Sequence, residues 1–291
     1  MSSQRRGTTS FSRWSGLATV AFFVALAAII ATIVTRMASN QTQTTPFLPE
    51  QGCQVTVDGF TTFLNQEQAA NASIIVGESI RRGLPARAAT IALVTAYQES
   101  DLHNLDYGDR DSIGLFQQRP SQGWGTVEEI MDPWYAAGKF YEALVKVPDW
   151  DTGVINDVAQ AVQLSGHPDA YAQHETKGRA WASALTGYSP ASVSCIDRSE
   201  TPAAASEITD FLARVYGEAV TWTLDGLTLQ LTTPGDPITW SVAHLAMLRG
   251  ALAGVETVQV ADMMWINADG EYTMWQTVEP AVASVVITLR G

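Results

Sequence analysis

Residues 99–118 read ESDLHNLDYGDRDSIGLFQQ. Glu99-Ser100 closes a stretch that is otherwise apolar and uncharged after Arg87. That stretch opens at Leu84-Pro85, where Pro suits the first position of a helix, and it places Ala89, Leu93, Ala96 and Tyr97 on neighbouring turns. A helix running to about Ser100 with one buried face is therefore expected. An irregular polar stretch, Asp101 to Ser112, follows it, then Gly114-Leu115-Phe116-Gln117-Gln118 and a Gly- and Trp-containing loop, Pro120 to Gly125. A carboxylate at the end of a buried helix, beside a loop, is desolvated on one side. Desolvation raises its pKa and suits it to general-acid work near neutral pH. By position alone a helix-end glutamate is more often a solvated surface residue, so its neighbours must decide.

On either side the pattern is helical. Glu67 to Gly83 has apolar residues at helical spacing (Ala70, Ile74, Ile75, Ile80) and stops at Arg81-Arg82-Gly83. Further helices are expected at Val127 to Met131, Pro133 to Val147, Gly153 to Ser165 and Pro168 to Thr186, with no convincing strand before Cys195. Cys53 and Cys195 are the only cysteines, too few for a zinc site and too far apart for a CxxC redox pair. In an oxidising compartment they would join the start and end of this region by a disulfide; two unrelated free thiols is the other reading. The domain so bracketed is 53–196. Residues 197–206 (DRSETPAAAS) have linker composition. From 207 to 291 the pattern changes. A helix to about Gly217, a β run at Leu227 to Thr232 and a helix at Pro237 to Ala253 precede β runs near Thr257 to Val260, Met263 to Ile266, Tyr272 to Gln276 and Val282 to Leu289. That alternation predicts a small α/β or α+β domain.

The chain has 291 residues, 46% hydrophobic and 16% charged, with a net charge of -13. Residues 1–50 carry four basic and one acidic side chain, 51–195 nine and 17, and 196–291 four and 12, for nets of +3, -8 and -8. Such acidity excludes sequence-independent nucleic-acid binding. Ser15 to Thr35 is an uncharged run of 21 residues, long enough for a membrane-spanning helix. A cleaved signal peptide has a shorter apolar core, and Arg36 would occupy a cleavage position that needs a small residue. Arg5, Arg6 and Arg13 precede the span, which places residues 1–14 in the cytoplasm, 15–36 in the membrane and everything beyond outside. Residues 37–52, rich in Gln, Thr, Ser and Asn, read as a flexible linker. The expected localisation is the cell membrane, single-pass.

Glu99-Ser100 followed by Ser112-Ile113-Gly114-Leu115-Phe116-Gln117-Gln118 resembles the soluble lytic transglycosylase and goose-type lysozyme superfamily, where Glu-Ser ends a helix and Gly-Leu-Met-Gln or a variant comes next. The run GDRDSIGLFQQRPSQGWGT, Gly108 to Thr126, looks like a group of secreted or anchored actinobacterial proteins of that type. The resemblance covers about Glu67 to Thr186. It implies a mainly α, lysozyme-like domain acting on peptidoglycan, with Glu99 protonating the glycosidic oxygen between N-acetylmuramic acid and N-acetylglucosamine. Ser100 would orient Glu99. Gly114, Leu115, Phe116 and Gln117 would line the cleft, with Gln117 bonding an acetamido group. The third motif, Ala-Tyr-Asn-x-Gly, is degenerate: Val162-Gln163-Leu164-Ser165 takes its place, with Gln163 standing in for the Asn and Tyr171 supplying the ring.

Hydrolytic glycosidases usually need a second carboxylate. Asp106, Asp109 and Asp111 are the candidates, and a solvated acidic loop is an equal reading of them. A lytic transglycosylase manages with one acid, because the sugar's acetamido group assists and the muramyl 6-hydroxyl replaces water. Trp124 is either a stacking face for a sugar or a structural residue. Trp134, Tyr135, Phe140 and Tyr141 repeat at helical spacing and read as core. His103, His167, His174 and His244 show no ligand spacing, and Asn104 to Asp111 lacks EF-hand spacing, so neither metal nor cofactor is expected. The C-terminal domain reads by default as a wall- or partner-binding module, a route to an envelope protein partner. The expected function is a membrane-anchored peptidoglycan-cleaving enzyme bound to glycan strands; a non-catalytic peptidoglycan-binding protein or an envelope scaffold is the alternative.

Overall fold

The computed structural model describes residues 48–164 and 169–291. The expected cytoplasmic segment, membrane span and most of the linker lie outside the described residues, as does His167. Among the described residues no helix is long and apolar enough to cross a membrane.

The chain enters on a hairpin that the helical reading does not anticipate. Strand β1, Gly52–Val57, turns through Asp58-Gly59 into β2, Phe60–Asn65. Both turn residues have positive φ, 50° and 78°, which an Asp-Gly pair accepts readily. The expectation of no strand before Cys195 is thereby corrected. Asn65 then caps α1, Gln66–Arg81, through a reciprocal capping box with Gln68. Helix α2, Ala86–Ser100, buries eleven of its residues and ends at Asp101 in the left-handed conformation. The short α3, Val127–Ile130, leads into α4, Pro133–Leu144, where Pro133 takes the first position and Asp132 caps Trp134. Next come α5, Ile155–Gln163, and α6, Glu175–Leu185. Strand β3, Val193–Ile196, returns to pair antiparallel with β1 and sets Cys53 directly opposite Cys195, where they form a disulfide.

Residues 66–185 are thus a helical region, and the remainder is built on antiparallel sheets. Helix α7, Ala205–Tyr216, precedes a hairpin of β4, Thr221–Asp225, and β5, Thr228–Thr232. Then follow α8, Ile238–Leu248, the single turn α9, Gly250–Ala253, and strands β6, Val255–Val260, β7, Met263–Ile266, β8, Gln276–Thr277, and β9, Val285–Leu289. The six strands form one antiparallel sheet in the order β4-β5-β9-β6-β7-β8. Of the expected Tyr272 to Gln276 run only Gln276 is strand, and β4 is an addition. The inner row Leu229, Ile287, Val258 and Trp265 is buried.

Helix α8 is the hub. All its residues from Thr239 to Leu248 are buried, because it packs on α6, α1, β1 and β3 on one side and on β6 and β9 on the other. Residues 48–291 therefore share a single hydrophobic core. Residues 197–206 connect the two regions without separating them. Asp197 is buried and paired with Arg290 at 3.1 Å, while the Arg198 guanidinium donates to the carbonyls of Pro49 and Asp269.

Candidate active site

Glu99 occupies the penultimate position of α2, partly buried, with the apolar body of the helix behind it. The Tyr171 hydroxyl donates to Glu99 Oε1 at 2.6 Å. Tyr171 is itself fully buried, and its position follows from Asn156 on α5, whose Oδ1 accepts the next backbone N–H, that of Ala172, at 3.1 Å. Gln163, the last residue of α5, donates through Nε2 to the Phe116 carbonyl at 2.7 Å. Burial pushes the Glu99 carboxyl above its ordinary value, and hydrogen bonds from Tyr171 and Gln163 oppose the rise without cancelling it. No other carboxylate contributes to that balance. Both neighbours are neutral donors, so among the described residues that act on it Glu99 is the one carboxylic acid, in a low-dielectric setting.

The Gly-Leu-Phe-Gln motif serves as a strut. The Ser100 hydroxyl donates to the Leu115 carbonyl at 2.7 Å and lies 3.2 Å from that of Ala96, so it ties the end of α2 to the motif and does not touch Glu99. Leu115 and Phe116 are fully buried; Phe116 stacks on Phe140 with centroids 4.6 Å apart. Their side chains face the core, and their carbonyls anchor Ser100 and Gln163. Gly114 is obligatory: its φ is 79°, and a Cβ would meet the Ile130 carbonyl oxygen at 2.9 Å. Gln117 folds back on the preceding loop, where its amide donates to the carbonyls of Tyr107 and Gly114 at 3.2 and 3.3 Å.

The candidates for a second acid are exposed or bonded to other groups. Asp106 is exposed, and Asp109 is exposed beside Arg110 at 3.8 Å. Asp111 is locked: it accepts the Ser121 backbone N–H at 2.8 Å and the Arg119 guanidinium at 2.7 Å. Those bonds, Ser121 first, hold its carboxyl well below the usual carboxylate range. Trp124 packs partly buried against the core, next to a Gly125 that Tyr135 overlies. His244 is fully buried on α8 and donates through Nδ1 to the Ala184 carbonyl at 2.8 Å. Among the described residues no cluster of three His, Cys, Asp or Glu side chains is placed to hold a metal ion.

Glu99, Gln163 and Tyr171 come together although 72 residues separate the first from the last. Sequence reasoning passes over Asn156 and Gln98 and reads His174 only as a histidine without ligand spacing, yet all three fix the turn that carries Tyr171. They belong to no motif, and only the fold brings them near. The chain matches no protein-family model and no curated protein.

Proposed function

We propose that this protein is a peptidoglycan-cleaving glycosidase of the single-acid, lytic transglycosylase type, acting on the β-1,4 bond between N-acetylmuramic acid and N-acetylglucosamine. The observation that carries the reading is Glu99 itself: a partly buried carboxyl at a helix end, raised by desolvation and gripped by the neutral donors Tyr171 and Gln163, with no carboxylate among the described residues that shift it. Glu99 in its acid form protonates the glycosidic oxygen as that bond breaks. The acetamido oxygen of the muramyl sugar supports the developing positive charge. The carboxylate then takes the proton of the muramyl 6-hydroxyl, which closes onto C1, and the acid is regenerated without water. The motif resemblance supports the substrate class, and the apolar run at Ser15 to Thr35 supports attachment to the cell membrane. The Cys53–Cys195 disulfide fits an exported domain.

Incubation of the protein with purified peptidoglycan, followed by mass spectrometry of the soluble products, tests this. The expected muropeptides carry a 1,6-anhydro end, one water lighter than hydrolytic products. Glu99→Gln should lower the rate by about 10²–10⁴-fold, the usual worth of a general acid. Binding to the wall with no soluble product at all would establish the non-catalytic alternative instead.

A further inference from the structure

His174 closes the 3-10 turn Ala172–His174 that follows Tyr171, and its backbone N–H donates to the Tyr171 carbonyl at 3.0 Å. Its Nε2 lies 3.1 Å from Oε1 of Gln98, the residue before Glu99 on α2. Gln173 Nε2 donates to the same oxygen at 3.0 Å. Two consecutive residues of the helix are thus held by one turn: Gln98 by His174, Glu99 by Tyr171. The imidazole stacks on Tyr97, with centroids 5.7 Å apart and planes 10° apart, which fixes its orientation. An amide oxygen only accepts, so Nε2 carries the proton in this contact. Nδ1 then bears a lone pair, and it is buried with no hydrogen-bond partner.

We propose that His174 is a positioning residue for the Glu99–Tyr171 pair: in its neutral form it holds the Tyr171 hydroxyl on the acid, and on protonation it lets the turn go. The proposal rests on the single-acid reading above. A second proton would occupy the buried Nδ1, where nothing accepts it. Two charged groups face the ring. Lys177 on α6, whose ammonium stands 4.2 Å from the Tyr97 ring centroid, opposes protonation, and Asp101 at the end of α2 favours it. Burial, the largest influence, acts with Lys177 and outweighs Asp101, so the imidazole sits below its ordinary 6.5. The clamp is therefore closed at neutral pH and opens as the pH falls beneath the usual imidazole range. Glu99 must be protonated to act, so its own titration limits the rate on the alkaline side. The acid limb of the profile belongs to His174.

The test compares the full chain with His174→Ala and His174→Gln; glutamine offers an amide donor to Gln98 and does not titrate. The alanine variant should lose about tenfold in kcat, the worth of one hydrogen bond, with KM little changed. The glutamine variant should recover most of that loss and show no acid limb. A readout independent of activity is the ¹⁹F resonance of fluorotyrosine at position 171, assigned with Tyr171→Phe. In the wild type it should respond to two titrations, that of Glu99, whose carboxyl the Tyr171 hydroxyl bonds, and that of His174 below the ordinary imidazole value of 6.5, and in His174→Gln it should keep only the first. A wild type that cleaves glycan with the same acid limb and the same resonance behaviour as His174→Gln overturns the proposal. A wild type that cleaves nothing, while its resonance still follows His174, overturns the single-acid reading and leaves the positioning role standing.

Discussion

At Glu99 two effects oppose each other, and the balance predicts how the residue responds to change. Desolvation raises the carboxyl, while the Tyr171 hydroxyl at 2.6 Å stabilises the carboxylate. Tyr171→Phe removes the stabilising donor and leaves the desolvation, so the Glu99 pKa should rise further. A carboxyl titration by ¹³C NMR should show it, and the alkaline limb of the rate profile should move up with it. The same raised pKa has a cost in stability. A carboxyl that binds its proton more tightly in the folded than in the unfolded state loses stability as pH rises from the unfolded value through the folded one. Glu99→Gln, neutral throughout, should therefore melt at a higher temperature than wild type at neutral pH and at about the same temperature near pH 4, below both values. An equal gain at both pH values would mean that burial does not perturb Glu99. Glu99 is legible in the sequence as a candidate acid because Glu-Ser ends an apolar helix before a Gly-Leu-Phe-Gln motif. Gln163 and Tyr171 are legible only by analogy with a third motif that here is broken. His174 and Gln98 are not legible, because their contact joins a helix end to a turn 76 residues later.

Among the elements, α6 depends on α8 for its C-terminal end. The last carbonyls of a helix have no partner within it. Here the Ser241 hydroxyl donates to the Leu185 carbonyl at 2.6 Å, and His244, one turn along α8, meets that of Ala184 at 2.8 Å. The Tyr216 hydroxyl, 2.6 Å from Ser241 Oγ, extends the network to the end of α7. His244 is enclosed by Trp240 and Trp275, with centroids 5.6 and 6.1 Å away, and burial pushes its imidazole down to about 4. An imidazole kept neutral by the fold contributes stability that is complete above its unfolded pKa of 6.5 and is lost as pH falls toward the folded value. That interval corresponds to about 3 kcal/mol. His244→Met should be less stable than wild type at pH 7, since the Ala184 carbonyl loses its partner, yet flatter with pH. Thermal melts from about pH 7 to about pH 4 should show the two curves converging. Parallel curves would exclude His244 as the source. The helices themselves are legible from periodicity and caps, except that the run expected from Pro168 becomes α-helical only at Glu175, after the 3-10 turn Ala172–His174. The entry hairpin is not, although Asp58-Gly59 marks it: its strands are short, and the helical pattern resumes at Gln66 directly after Asn65.

Across the whole molecule, the question is whether residues 207–291 form an appended module or part of one folding unit. Composition suggests the former, since 197–206 has the makeup of a linker. Packing argues the latter. Gly77 on α1 has room for no side chain: a Cβ there would lie 2.8 Å from Val215 and 3.2 Å from Phe211 of α7. Arg214 covers the Trp134 ring at 4.2 Å, while the Trp265 and Trp275 indoles donate to Ser194 and Val193 of β3. The disulfide between β1 and β3 lies beneath α8, with both sulfurs within 4.0 Å of the Met247 carbonyl oxygen. Deletion after Asp197 would uncover one face of α1, the part of β1 and β3 that α8 covers and the end of α6, the helix that begins directly after the turn carrying Tyr171 and His174. Domains are ordinarily stable by only about 5–15 kcal/mol, a margin that the loss of these packed contacts would consume. The fragment 48–197 should therefore lack a cooperative melt and near-UV circular dichroism, and should bind hydrophobic dyes. It should also fail to cleave peptidoglycan, although it retains Glu99, Gln163 and Tyr171. A fragment that melts cooperatively and cleaves at the full-length rate would establish the C-terminal region as a separate module. Otherwise, a cellular phenotype of that deletion reports loss of the fold that holds Glu99 and says nothing about a separate partner-binding activity.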